Sequence, residues 1–216
     1  MSTEQLSFYM SNRAIVALKF IAFPACLIPL GVLIYQGFTN SLGPDQVATI
    51  THTTGFWTLY FLLISLAITP VRRLSKHLVW LIRFRRMLGL YAFFYGTLHL
   101  MTYVWLFSDF NVRTMAHDIA KRLFITVGML GWACLLLLAL TSTTWSIRKL
   151  GGRRWLTLHR LAYIAATAGV IHYWWLVKPG VWTPWKVTAI LGILFLARAI
   201  WRLRESARRR KVAIAA

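Results

Sequence analysis

Six histidines stand out in a chain that has almost no acid. His99, His159 and His172 lie inside long apolar runs, His52 opens another, and His77 and His117 fall between runs. The apolar runs contain no Asp or Glu. A zinc site would need further Cys, His or carboxylate ligands close by. Ion pumps and cation transporters rely on carboxylates inside the membrane. Neutral imidazoles that face one another across a helix bundle suit the axial positions of haem iron instead. Gly89, Gly96, Gly128, Gly131 and Gly169 are expected to let a flat macrocycle approach the helix backbones. Cys26 and Cys134 both sit in apolar runs and make neither a disulfide framework nor a zinc spacing.

The elements that position these residues follow from composition. The 216 residues are 58% apolar and 14% charged, with 25 Lys and Arg against 5 Asp and Glu, a net charge of +20. A soluble domain is about 45–50% apolar and about 25% charged. High apolarity and high charge coexist only where the two are segregated, as in an integral membrane protein. That argues against a nucleic-acid binder. We expect an all-α membrane protein, a bundle of six transmembrane helices forming one domain over residues 1–216. The spans fall near 14–35, 51–71, 87–107, 123–141, 156–177 and 185–201, each about the 20 residues a crossing needs. Pro24 and Pro29 should kink the first. Lys19 and the absence of a small-residue cleavage site mark that span as retained rather than a signal peptide.

Charge sets the orientation. With the N-terminus and C-terminus both cytoplasmic, the outer segments hold only Arg113, Lys121, Arg122, Lys178 and Lys186, and the other twenty cations face inwards. The acids do not change this: Glu4 and Glu205 are inside, and Asp45, Asp109 and Asp118 outside. Tyr103, Trp105, Trp174, Trp175, Trp182 and Trp185 would form an outer aromatic belt. The basic inner segments are expected to touch anionic lipid. In this topology His99 and His172 share the outer half, and His159 lies near the cytoplasmic end. His159 and His172 are 13 residues apart, roughly 20 Å along an ideal helix, but turned by about 220°. Either a local distortion such as a π-bulge puts both on one face, or the two serve haems on different sides of the helix.

Several ordered motifs resemble one family. Arg85-Arg86-Met87-Leu88-Gly89-Leu90 with Thr97-Leu98-His99-Leu100 resembles the RRxLGL…TLHL signature of the MsrQ (YedZ) family. His52-Thr53-Thr54-Gly55 is similar to its HxTG, and Leu66-Ala67-Ile68-Thr69-Pro70 to its LxITP. Thr141-Ser142-Thr143, Lys149-Leu150-Gly151, Trp155, Leu158-His159-Arg160-Leu161-Ala162-Tyr163 and Ile171-His172-Tyr173-Trp174 follow its later blocks in order. The resemblance covers about residues 45 to 180.

The resemblance implies a ferric-reductase-like transmembrane domain in the bacterial inner membrane. Its role would be non-catalytic electron transfer by one or two b haems, served by His99, His159 and His172. Arg85 stands where ferric-reductase relatives have a fourth histidine, so an inner haem would lack a second histidine. His52 would pair with a propionate or cap a helix. Arg83, Arg85, Arg86 and Arg160 would meet propionates or the phosphate of FMN, which the family also implies. The partner implied is a periplasmic molybdopterin-containing methionine-sulfoxide reductase, which repairs a lesion that makes an apolar side chain polar. Only 15 residues follow the sixth span, and no GxGxxG loop is present. The donor is therefore expected to be quinol or a cytoplasmic flavin reductase. The alternatives are a stand-alone ferric or quinone reductase of cytochrome b type, and a non-redox membrane anchor.

Overall fold

A computed structural model describes residues 11–177 and 182–215. Lys178 and Glu4 lie outside the described residues. The elements are α1 (Asn12–Ala25), α2 (Ile28–Phe38), α3 (Gln46–Leu74), a 3₁₀ segment (Lys76–Arg83) and α4 (Arg85–Thr102). A π-helical turn (Tyr103–Phe107) and α5 (Val112–Lys121) follow. The chain continues through α6 (Leu123–Leu140), α7 (Thr144–Leu150), α8 (Gly152–Leu158), α9 (Leu161–Leu176) and α10 (Thr183–Ala215). Every regular element among the described residues is helical. Four stretches are long and apolar enough to cross a membrane: Asn12–Phe38, Gln46–Leu74, Arg85–Phe107 and Leu123–Leu140.

The centre of the bundle is made by α3, α4, α6 and α9, with α3 packed on α4 and α6 on α9. Small residues let these helices meet closely, as membrane interfaces require. A β-carbon at Gly131 would stand 3.5 Å from the Ala168 β-carbon, in ordinary contact. Ala92 and Ala166 are fully buried. Thr97 ties α4 to α6 by accepting a 3.2 Å hydrogen bond from the Trp132 indole. α10 lies on α9 and α3, and α2 on α3. At the rim of α9 and α10 the Trp174 ring meets Trp185 edge-on at 4.7 Å, and Trp105, Trp175 and Trp182 are exposed.

Lipid offers backbone groups no partners, so each proline in a span must be compensated. Pro24 and Pro29 break the first span into α1 and α2. Tyr91 donates to the Phe23 carbonyl at 2.8 Å. Tyr95 enters the ladder itself: its hydroxyl donates to the Cys26 carbonyl at 2.9 Å and accepts from the Leu30 N–H at 3.2 Å. Those two backbone groups would be i, i+4 partners in an unbroken helix. Pro70 removes the N–H that would reach the Leu66 carbonyl. The buried Arg198 guanidinium of α10 donates to that carbonyl instead, and also to Leu194 of its own helix at 2.8 Å. The cation thus joins α10 to α3 at a site left open by the proline.

The single helix expected over 156–177 is two helices in the structure. The chain turns at His159 and Arg160, where i, i+3 bonds from Arg160 to Thr157 (3.1 Å) and from Tyr163 to Arg160 (2.9 Å) separate α8 from α9. Gly151, at φ +74°, ends α7 in a backbone conformation that L side chains avoid. Beyond Trp201, α10 continues as a cationic helix. There a 2.8 Å hydrogen bond from Arg209 holds the Glu205 carboxyl below the ordinary range.

The proline–arginine exchange has a measurable signature. Replacing Arg198 by Leu should cost about 1 kcal/mol more beside Pro70 than in a Pro70→Ala background, where the α3 ladder closes on its own. A double-mutant cycle of unfolding in detergent with no coupling would contradict the assignment.

Candidate haem site between two helix pairs

His99 projects from α4 and His172 from α9, and their ring centroids are 6.0 Å apart at an interplanar angle of 83°. Each ring is tied by one nitrogen to the backbone of a different helix. His99 Nδ1 lies 3.0 Å from the Thr51 carbonyl of α3, and His172 Nδ1 lies 2.7 Å from the Phe124 carbonyl of α6. A carbonyl only accepts, so both imidazoles carry their proton on Nδ1. In the neutral ring this leaves a lone pair on each Nε2, the arrangement that orients histidine as a metal ligand.

Glycines make room for the two rings. A β-carbon built at Gly55 would lie 3.1 Å from His99, and one at Gly128 would lie 2.8 Å from His172 Nδ1. The sequence reading assigned Gly128 to a macrocycle; the structure gives it to the imidazole. Gly89, Gly96, Gly131 and Gly169 meet Ser65, Thr58, Ala168 and Leu59 respectively, so they serve helix packing.

These residues fit a haem. His99 and His172, with ring centroids 6.0 Å apart and an open Nε2 on each, would hold a haem iron between them. Among the described residues no group of three or more His, Cys, Asp or Glu is placed to hold a bare metal ion. Two imidazoles alone would suit an iron that a macrocycle already ligates.

The other sequence candidates are distributed differently. His159 sits in the turn between α8 and α9, stacked on Trp155 at 3.8 Å. Its Nε2 is 3.3 Å from the Thr141 hydroxyl, whose proton is donated to the Leu137 carbonyl at 2.6 Å. Nε2–H of His159 is therefore the donor, and its other ring nitrogen is the one left open. Trp155 is fixed in turn by donating to the Thr141 carbonyl at 2.8 Å. Arg85 and Arg86 lie within electrostatic reach of His159. Arg85 also faces Arg72, Arg198 and Tyr163, and Arg198 lies over the Tyr163 ring at 5.4 Å. Among the described residues, a buried Nε on Arg72 and another on Arg198 meet no acceptor.

His52 is exposed on α3, stacked on Phe56 at 6.2 Å, and Phe56 meets Tyr173 of α9 edge-on at 5.2 Å. It borders the His99–His172 pair. His77 lies in the 3₁₀ segment and His117 on the exposed face of α5. Sequence reasoning missed Thr51, Phe124, Arg72 and Arg198. The first two act through backbone carbonyls, which no residue type reports. The signal for Arg198 was a cation set among apolar residues well inside the span over 185–201.

Comparison with known proteins gives the same direction. Residues 53–170 match the family model described as "Ferric reductase like transmembrane component". The chain is 43% identical over 210 residues, 96% of each chain, to the protein-methionine-sulfoxide reductase heme-binding subunit MsrQ of Herminiimonas arsenicoxydans. It is 43% identical over 201 residues to that of Azospira oryzae, covering 92% of this chain and 85% of the relative. With that of Ralstonia nicotianae the identity is 46% over 165 residues, 76% of this chain and 75% of the relative. With a matching family model over more than half its length and relatives this similar along nearly all of it, the chain belongs to the MsrQ family of ferric-reductase-like transmembrane proteins.

Proposed function

We propose that this chain is the haem b-carrying, electron-transferring membrane subunit of a protein-methionine-sulfoxide reductase system, resident in the bacterial inner membrane. The observation that carries the reading is the His99–His172 pair, 6.0 Å apart with both Nε2 atoms freed by Nδ1–H bonds to helix carbonyls. Haem bound there supplies a reversible one-electron centre. The chain's own residues supply axial ligands, orientation and a dry surround. The carbonyls of Thr51 and Phe124 keep the two rings in the ligating tautomer, and Gly55 and Gly128 let them lie flush against α3 and α6. The subunit performs no chemistry on methionine sulfoxide.

The reading extends to topology and partners. α9 and α10 add two crossings to the four long apolar stretches, making six, with both ends cytoplasmic. The twenty-to-five division of cations supports that orientation. All of the chain then acts as one haem-binding domain. The His99–His172 site faces the periplasmic half, where a molybdopterin-containing reductase would take the electrons.

His159 with Arg85 forms a second, inner position. It has one histidine and a cationic rim, which suits an anionic cofactor edge, a haem propionate or the phosphate of FMN. His52 stands at the outer edge of the first site as a polar partner. Quinol or a cytoplasmic flavin reductase supplies the electrons.

Purified protein should show reducible b-type bands that are reoxidised by the periplasmic reductase. Reoxidation by ferric chelates alone would point to a ferric reductase, and absence of the bands to a bare anchor. Changing His99 or His172 to Ala should abolish the low-spin bis-imidazole signal, whereas His159→Ala should retain it. Survival of that signal in either of the first two variants would refute the ligand pair. Gly128→Ala should displace the His172 ring and lower haem occupancy in a folded protein. Gly192→Ala, which meets nothing within 4 Å, should leave occupancy unchanged; equal haem content in the two variants would contradict the packing argument.

A further inference from the structure

The proline break in the first span opens a cleft of about 470 Å³ between α2 and α3. Pro29, Val32 and Leu33 give it an apolar wall, while Gln36, Thr53 and Trp57 bring an amide, a hydroxyl and an indole to its lining. None of these three side chains makes a hydrogen bond within the described residues. Acyl chains would leave Thr53 and Trp57, away from the mouth at Gln36, without a side-chain partner, which is costly in an apolar medium. A phosphate headgroup is disfavoured as well, because no Lys or Arg lines the cleft. The complementary ligand is flat, aromatic, lipid-soluble and uncharged, and carries oxygens that both give and accept hydrogen bonds.

The cleft also borders the redox site. Thr53 and Trp57 flank Gly55, whose opposite side meets His99. One helix, about 10 Å across, separates the two. The Trp57 indole is braced by Tyr60 at 5.9 Å and Phe61 at 5.4 Å, so a planar ring would meet a fixed surface.

We propose that the cleft between α2 and α3 binds the head of an isoprenoid hydroquinone, with Trp57 against its ring and Gln36 and Thr53 on its oxygens, as the electron-donor site. This rests on the electron-transfer reading above and gives its donor a place. The hydroquinone loses two electrons and two protons as both O–H bonds break and the ring becomes a quinone. A one-electron acceptor held by His99 and His172 would take the two electrons in two successive transfers. The protons leave to water at the outer mouth of the cleft beside Gln36. Donor site and ligand pair share one depth, so this route needs no electron to cross the bilayer.

The test uses the full chain in quinone-free phospholipid nanodiscs with an azido-substituted short-chain benzoquinone as photolabel. Label should map to the α2 segment 28–36 and the α3 segment 53–57 and be competed by decylhydroquinone. A Gln36→Leu/Thr53→Val variant should lose labelling and slow haem reduction by decylhydroquinone about tenfold, the size of one lost hydrogen bond to a desolvated partner. Its haem spectrum and its reduction by dithionite should not change. Label on another face, or labelling unaffected in the variant, overturns the cleft assignment even if the haem is reducible. Competed label in the cleft of a protein with no reducible haem keeps the site and overturns the electron-transfer reading instead.

Discussion

The hydrogen bond from a histidine Nδ1–H to a carbonyl of the neighbouring helix is the constraint on which the rest depends. A lone imidazole in lipid can rotate and can protonate either nitrogen. Tied to Thr51 or Phe124, it can do neither, and its Nε2 lone pair points away from its anchor. The bond works only if the ring can reach the backbone of the next helix. This is why Gly55 and Gly128 stand where any β-carbon would strike the ring. Two helix pairs, α3 with α4 and α6 with α9, thus each deliver one oriented ligand to a shared space.

The same shortage of partners shapes the bundle as a whole. Prolines in the spans free carbonyls that water cannot reach, and side chains from other helices take them. Tyr91 and Tyr95 of α4 hold the broken first span, and Arg198 of α10 caps the gap that Pro70 opens in α3. These bonds lock the peripheral helices to the core as much as packing does. The cleft beside Trp57 lies along the same broken span, with Ala25, Ile28 and Pro29 in its lining.

The two histidine positions contrast in ways that bear on their chemistry. At one, His99 and His172 present open Nε2 atoms to each other's neighbourhood. At the other, His159 gives its Nε2–H to Thr141, leans on Trp155 and shares its neighbourhood with arginines rather than a second histidine. The turn at His159–Arg160 explains how residues 13 apart escape the register of an ideal helix. That turn is made by i, i+3 bonds and not by a π-bulge.

Much of this was legible in the sequence. Apolar runs of span length, histidines without acids and a set of ordered motifs pointed to a helical membrane protein of the MsrQ family and singled out His99, His159 and His172 as candidates. Residue types carry that information because burial in lipid is selective for them. Only the tertiary structure decided which nitrogen of each histidine is free, that Gly128 serves a ring rather than a macrocycle, and that Arg198 answers Pro70 across two helices. Those depend on backbone carbonyls and on contacts between distant helices. Every residue has the same carbonyl, so the partner of each one is settled by where the helices meet.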